Sequence, residues 1–237
     1  NLEEANWGYG VTDYNYQLES QWDANPHTDL YIVDIATGEA KSLLKDVYLR
    51  SVSASPKGKY LIWFNAQEAQ WYSYEAANGA IRNISSATGD DFKTYMQDTP
   101  EMPYDNGSAG WLPDDKAVLI NAVNDIWKLD PRGEKAPENF TCGVGNKNNL
   151  DFNIIRLGEK PEYMPVVGPV KQPIGEHGVV YFSAFDRKSK YNGLYCRNLD
   201  SKKSDMQRVT MEPFTFSSFT KGAADKGKTI LFLKNNF

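Results

Sequence analysis

The stretch Ser55-Pro56-Lys57-Gly58-Lys59-Tyr60-Leu61-Ile62-Trp63-Phe64, followed after a short polar gap by Gln70-Trp71-Tyr72-Ser73-Tyr74-Glu75-Ala76-Ala77-Asn78-Gly79, holds the fold of this chain in miniature. Pro fixes φ and Gly tolerates φ > 0, so Pro56 and Gly58 make a tight turn. The apolar residues Tyr60 to Phe64 leave that turn as an extended run, and the lack of polar alternation predicts a strand covered on both faces. Trp71, Tyr72 and Tyr74 predict a second strand, and Ala76 to Gly79 the turn that leaves it. The pair is a β-meander of two buried strands.

The meander recurs. Pro113-Asp114-Asp115-Lys116-Ala117-Val118-Leu119-Ile120 repeats the turn and the buried run, and Asp125-Ile126-Trp127-Lys128-Leu129-Asp130-Pro131-Arg132-Gly133 repeats the second strand and its turn. A third copy is Gly175-Glu176-His177-Gly178-Val179-Val180-Tyr181-Phe182 with Gly193-Leu194-Tyr195-Cys196-Arg197. Asp225 to Leu233 begins a fourth, and Asp29-Leu30-Tyr31-Ile32-Val33-Asp34 with Gly38 supplies the second strand of an earlier one. Lys59 to Lys116 is 57 residues, Lys116 to Gly178 is 62, and Gly178 to Lys228 is 50. A ragged period of this size, with four short strands per unit, predicts an all-β fold, a β-propeller whose blades each bury both faces against their neighbours.

Spread over 1–237, the repeats predict blades at roughly 1–45, 47–85, 106–141, 150–210 and an incomplete one at 214–237. In the first, Trp7 to Gly10 and Leu18 to Trp22 are expected as half-buried strands. Ser86 to Tyr104 is expected as a long inter-blade loop with one helical turn at Asp91 to Gln97, and Cys142 to Asn149 as a loop by composition. Gly158 to Gln172, rich in Pro and Gly, is an insertion in the fourth blade. A propeller closes by pairing its last strand with its first blade, because open edges template aggregation, so four to five blades ending mid-blade are expected to be part of a larger ring.

A chain of 237 residues can bury a sizeable core, and 13% aromatic residues suit sheets packed face to face. A formal charge of −5, with Lys and Arg scattered and pairs such as Lys202-Lys203 read as turn residues, leaves no nucleic-acid footprint. Cys142 and Cys196 make no disulfide framework and are read as free thiols. No apolar run is long enough to span a bilayer. The start at Asn1, without Met or a signal-like segment, predicts a trimmed or processed product.

No residue is assigned a catalytic, cofactor-binding or metal-binding role. Gly143-Val144-Gly145 lacks the Gly-Lys-Ser/Thr and the helix of a phosphate loop, and is read as a flexible loop. Asn83-Ile84-Ser85, Asn106-Gly107-Ser108 and Asn139-Phe140-Thr141 match the glycosylation triplet, but two of them fall at the same place in successive repeats, which repeat geometry explains better than sugar does. The pairs Asp90-Asp91 and Asp114-Asp115 lack a partner acid at glycosidase spacing, and the second sits in a β-turn where Asp bonds the backbone. A metal site needs a cluster of ligands, whereas His27 and His177 are the two histidines, each in a turn-like setting. No Ser has Gly at both −2 and +2, so the nucleophile elbow of a serine hydrolase is missing; Asn106-Gly107-Ser108-Ala109-Gly110 comes nearest.

With the repeats laid out, the chain resembles the N-terminal β-propeller of a bacterial serine peptidase of the prolyl oligopeptidase and dipeptidyl peptidase family, and most of all large members from Bacteroidetes. The resembling residues are Ser55 to Tyr60, Trp63-Phe64, Gln70 to Tyr74, Asn83-Ile84-Ser85, Asp98-Thr99-Pro100, Ala109-Gly110-Trp111, Asp114 to Ile120 and Asp125 to Pro131. The run from Trp111 to Pro131 is the specific part, since Ser-Pro-x-Gly-Lys occurs in many propellers. The resemblance implies a module that is inert alone and restricts peptide entry to a C-terminal α/β-hydrolase domain of the same polypeptide carrying a Ser-Asp-His triad. It further implies peptide substrates and a periplasmic or secreted location; from the residues themselves no cofactor and no nucleic-acid partner is expected. Glu3-Glu4 is the only Glu pair that could stand for the amine-holding pair of dipeptidyl-type relatives, and it lacks their flanking aromatics, so that site is not carried over. The alternative is a stand-alone propeller that binds protein or glycan through Ser86 to Tyr104 and Gly158 to Gln172. A propeller glycosidase or lyase would need paired acids or a metal that the inner strands do not supply.

Overall fold

The computed structural model describes residues 5–25, 27–95, 97–157, 173–201, 203, 205–222 and 229–236. Glu3-Glu4, Gly158 to Gln172 and Asp225 to Lys228 lie outside the described residues. Strands β1 (Trp7–Thr12), β2 (Thr28–Asp34) and β3 (Ala40–Val47) form an antiparallel sheet in that order. Four strands follow in a second sheet, β4 (Leu49–Ala54), β5 (Tyr60–Asn65), β6 (Gln70–Glu75) and β7 (Ile81–Asn83), each paired with the next. The third sheet takes β8 (Ser108–Trp111), β9 (Val118–Asn121), β10 (Ile126–Leu129) and β11 (Glu138–Asn139) in the same sequential order. The fourth takes β12 (Leu150–Ile155), β13 (Val179–Asp186), β14 (Asn192–Asn198) and β15 (Gln207–Glu212), and β16 (Thr215–Lys221) pairs with β17 (Ile230–Asn235). Successive antiparallel meanders of four strands make this an all-β fold of the β-propeller class.

Local chemistry accounts for the strands. In the β4–β5 turn, Gly58 takes φ 66°, its N–H donates to Ser55 O at 2.9 Å, and Ser55 N–H donates to Tyr60 O at 2.8 Å. Tyr60 to Phe64 then run buried without a break, with β5 and β6 in register from Tyr60↔Glu75 to Asn65↔Gln70. Trp63 stacks on Tyr72 at 5.9 Å.

The chain divides into two compact units. In the first (residues 1–107, 114–118 and 129–137), Leu30, Leu61 and Trp63 are buried beneath Trp7, Leu44, Val52 and Tyr74. In the second (108–113, 119–128 and 138–237), Phe182 lies 6.1 Å from both Phe140 and Phe152, and Phe152 meets Tyr195 edge-on at 5.1 Å.

Three expectations are corrected. Leu18 to Trp22 is not a strand: Tyr14–Tyr16 and Glu19–Gln21 are 3-10 turns, because Asn15 and Tyr16 are drawn onto the Asp29 carboxylate and no strand among the described residues pairs with the segment. No helical turn is found among the described residues of Asp91 to Gln97. Phe92 is fully buried there, and Lys93 bridges Asp105 as extended chain. The Cys142–Asn149 loop does contain a helix, α1 (Val144–Asn148), whose first turn is fixed when Gly145 and Asn146 donate their N–H groups to Asp125.

Candidate functional site

Of the paired acids, Asp90, Asp91 and Asp115 accept from backbone N–H groups while Asp114 is exposed, and Asp125 and Asp130 of the same repeat are backbone acceptors too. Asp115 is 2% exposed and accepts from Ser55 Oγ at 2.5 Å, Lys57 N at 3.1 Å and Lys59 N at 3.3 Å. Asp125 is 1% exposed and accepts from Thr141 Oγ1 at 2.7 Å, Gly145 N at 2.8 Å and Asn146 N at 3.1 Å. Asp130 accepts from the N–H groups of Arg132, Glu134 and Lys135. Asp91 is exposed and accepts from Lys93 N. A carboxylate whose lone pairs are taken by fixed donors is a brace rather than an acid-base catalyst.

The Gly143-Val144-Gly145 run has the same explanation. A Cβ on Gly145 would lie 2.4 Å from Asn124 O and 2.6 Å from Asp125 Oδ1, so the glycine lets the helix start close against the Asp125 loop. Two of the three glycosylation-like triplets are structural too. Asn83 Oδ1 accepts from Ser85 N, and Ser85 Oγ, fully buried, accepts from Trp71 N. Asn139 and Thr141 repeat this one sheet later, Thr141 Oγ1 accepting from Ile126 N.

What the sequence did not reveal is a polar network in the first unit. The β2–β3 register sets Thr28 opposite Val47, which brings His27 beside Asp46 and Tyr48. His27 Nδ1 meets Asp46 Oδ1, Nε2 lies 2.6 Å from Tyr48 Oη, and Asp23 Oδ2 stands 3.8 Å from Nε2. The imidazole packs against Tyr48 at 4.2 Å and Tyr16 at 5.6 Å. Tyr16 in turn donates to Asp29 Oδ1 at 2.7 Å, and Asp29, 1% exposed, also accepts from Asn15, Tyr31 and Asp46 N. The bond to Asp29, then burial, pushes the Tyr16 phenol up to about 12, and the same bond holds the Asp29 carboxyl below its usual range.

Carboxylate, imidazole and phenol in a row have the connectivity of a relay that activates a nucleophile. Here burial, followed by the charges of Asp23, Asp46 and Glu19, pushes the Tyr48 phenol up, so it keeps its proton at neutral pH. The row can pass a proton but does not supply a nucleophile at neutral pH. The adjoining cleft, lined by Asn25, Tyr48, Leu49, Arg50, Ala66 and Met102, holds about 20 Å³, the scale of one water molecule.

A larger cleft of about 170 Å³ lies in the second unit, between Leu112, Phe140 and Leu199 on its apolar side and Lys128, Glu138 and Arg197 on its polar side. Arg197, 9% exposed, donates to Phe140 O at 2.7 Å and Glu138 Oε1 at 3.2 Å, and Lys128 Nζ meets Glu138 Oε2 at 3.0 Å. Burial pushes Glu138 up, but Lys128 and Arg197 outweigh it and hold the carboxyl below its ordinary value. His177, the other histidine, is exposed and bonds Asp200 at 2.8 Å. Cys142 and Cys196 are not joined in a disulfide, and burial pushes both thiols up and away from reactivity. Among the described residues, no three His, Cys, Asp or Glu are grouped to hold a metal ion, and no helix is long and apolar enough to cross a membrane.

No protein-family model and no curated protein matches the sequence. Among solved structures, the chain is similar to a putative TolB from Agrobacterium tumefaciens, at 14% identity and TM-score 0.39, over 78% of this chain and 57% of that one. It is similar to the tricorn protease at 14% identity and TM-score 0.36, over 87% of this chain and 22% of the protease. It is also similar to the β-propeller domain of the Trilobed protease from Pyrococcus furiosus, at 11% identity and TM-score 0.31, over 89% and 84%. Similarity at this level carries nothing about activity.

Proposed function

We propose that the chain is a non-catalytic propeller module that filters peptide access to a C-terminal serine peptidase domain of the same polypeptide. The observation that carries this reading is the run from Trp111 to Pro131, which holds the specific part of the resemblance. It runs from the last residue of β8 through β9 and β10 of one meander sheet, and its acids Asp115, Asp125 and Asp130 serve as backbone acceptors. A module built this way braces its own turns and leaves reaction chemistry to another domain. Reading the gene past the Phe237 codon and assaying its full product on quenched peptides of rising length tests the proposal. Filtering predicts cleavage that falls off with peptide length and a loss of that cutoff when residues 1–237 are deleted. A stop codon directly after Phe237, or a length profile unchanged by the deletion, rejects it.

A second reading, a free-standing scaffold that binds protein or glycan, draws support from the connection after β7. That segment is held in shape by Thr94 N to Tyr104 O at 2.7 Å, by Gln97 Nε2 to Glu101 O at 2.9 Å, and by Arg50 over the Tyr104 ring at 3.7 Å. A pull-down that recovers one tight partner, and loses it when 93–105 is shortened, would favour this reading over the first.

A further inference from the structure

We propose that the Tyr14–Trp22 segment is a docking face for a partner protein that presents apolar side chains among Lys and Arg. Tyr14, Leu18 and Trp22 are 76%, 72% and 74% exposed, among the most exposed large hydrophobic residues described. They are spaced four apart, and the backbone stays right-handed helical between the two 3-10 turns, at φ −60°, ψ −31° for Gln17 and φ −68°, ψ −39° for Leu18. All three are therefore carried on one short, continuously turned segment. The segment is positioned by polar anchors at both ends. Tyr16 and Asn15 hold Asp29 on one side, and on the other Asn25 takes the Met102 N–H and is itself tied to Asp23. The apolar side chains are thus largely presented to solvent.

Charge identifies the occupant. The stretch 5–25 that holds the segment contains three acids, Asp13, Glu19 and Asp23, and no Lys or Arg. Asp13 and Glu19 are exposed within or beside the stripe, and Asp46, with its side chain 64% exposed, joins them through His27 and Asp23. A second copy of the same face would bring like charges together, and an anionic lipid surface would be repelled. A cationic partner gains from both the carboxylates and the faces of Tyr14 and Trp22, which attract Lys and Arg. The face stands apart from the peptidase reading and does not depend on it.

The test titrates the chain against a short, dye-labelled synthetic peptide of Leu and Lys in amphipathic order and against its Leu and Glu twin, following anisotropy. The Lys peptide should bind and weaken as salt rises, while the Glu twin should not bind. Leu18→Ser with Trp22→Ser should weaken binding by about tenfold or more, as loss of central apolar anchors does. Asp13→Lys with Glu19→Lys should transfer the preference to the Glu twin. Circular dichroism shows whether each variant stays folded, which these exposed positions allow. Equal binding of the two peptides, no binding of the Lys peptide, or an unaffected Leu18/Trp22 variant overturns the proposal. So does self-association in sedimentation that Leu18→Ser abolishes, or stronger binding to phosphatidylglycerol vesicles than to the peptide.

Discussion

Asp115 occupies the place in its turn that Gly58 holds one repeat earlier, with φ 57° against 66°. A left-handed backbone costs a Cβ-bearing residue roughly 1 kcal/mol or more, so the side chain must return something. It does so by accepting from Ser55, Lys57 and Lys59 while almost fully buried. Asp114 shares the geometry, at φ 59°, but is exposed. Asp115→Gly should therefore destabilise the chain by about 2–3 kcal/mol, because the relief of φ does not replace three hydrogen bonds to a charged group. Asp114→Gly should be neutral or stabilising by up to about 1 kcal/mol. Urea midpoints of the two variants separate the cases, and equal shifts would mean that the carboxylate of Asp115 is not what holds the turn. At Gly145 the argument reverses, since it is a Cβ that cannot be housed beside Asn124 O. Gly145→Ala should cost about 1–3 kcal/mol as overpacking against backbone, read from the same unfolding curves.

Strands differ in how much of their stability is their own. β5 is buried from Tyr60 to Phe64, whereas in β17 Leu231 and Leu233 are 56% and 57% exposed. Ile62→Ala should cost about 2–5 kcal/mol, and Leu231→Ala should stay within about 0.5 kcal/mol, both measured by chemical denaturation. The same contrast explains what was legible in the sequence. β5, β6, β9 and β10 could be read because a turn residue and an unbroken apolar run are local signals that the fold agrees with. Leu18 to Trp22 misled because its spacing suits a strand, while the Asp29 carboxylate, a tertiary partner, selects a helical turn at Tyr16. Helix α1 was missed because its start is capped by Asp125, some twenty positions earlier in the chain. The His27, Asp46 and Tyr48 row was invisible for a related reason. Its members lie 19 and 21 positions apart, and only the Thr28↔Val47 pairing makes them neighbours.

Across the whole molecule, the titrating groups bound stability from both sides. Asp29 and Asp34 are held below the usual carboxylate range by hydrogen bonds, Glu75 by Asn78, Arg132 and Arg82 against the cost of burial, and Glu138 by Lys128 and Arg197 against the same cost. A carboxyl with a lowered folded value adds stability above its unfolded value of about 4, and that stability is lost as pH falls through the folded value. Asp151, pushed up by burial despite Arg187, works in the opposite sense and is outnumbered. Phenols invert the rule. Tyr16, Tyr31, Tyr48 and Tyr72 are all raised, so their contribution is full below the unfolded value of about 10 and is lost as pH climbs through the folded ones. The urea midpoint should therefore be flat through neutral pH, fall below about pH 4 and fall again above about pH 10. Tyr16→Phe separates the two limbs. It removes the phenol raised to about 12 and with it the main donor that lowers Asp29. Both limbs should become shallower in this variant, the alkaline one because that phenol is gone, the acid one because Asp29 moves back toward its ordinary value. If the variant keeps the wild-type pH profile with only a uniform offset, the Tyr16–Asp29 bond contributes packing alone and the coupling between the two limbs is absent.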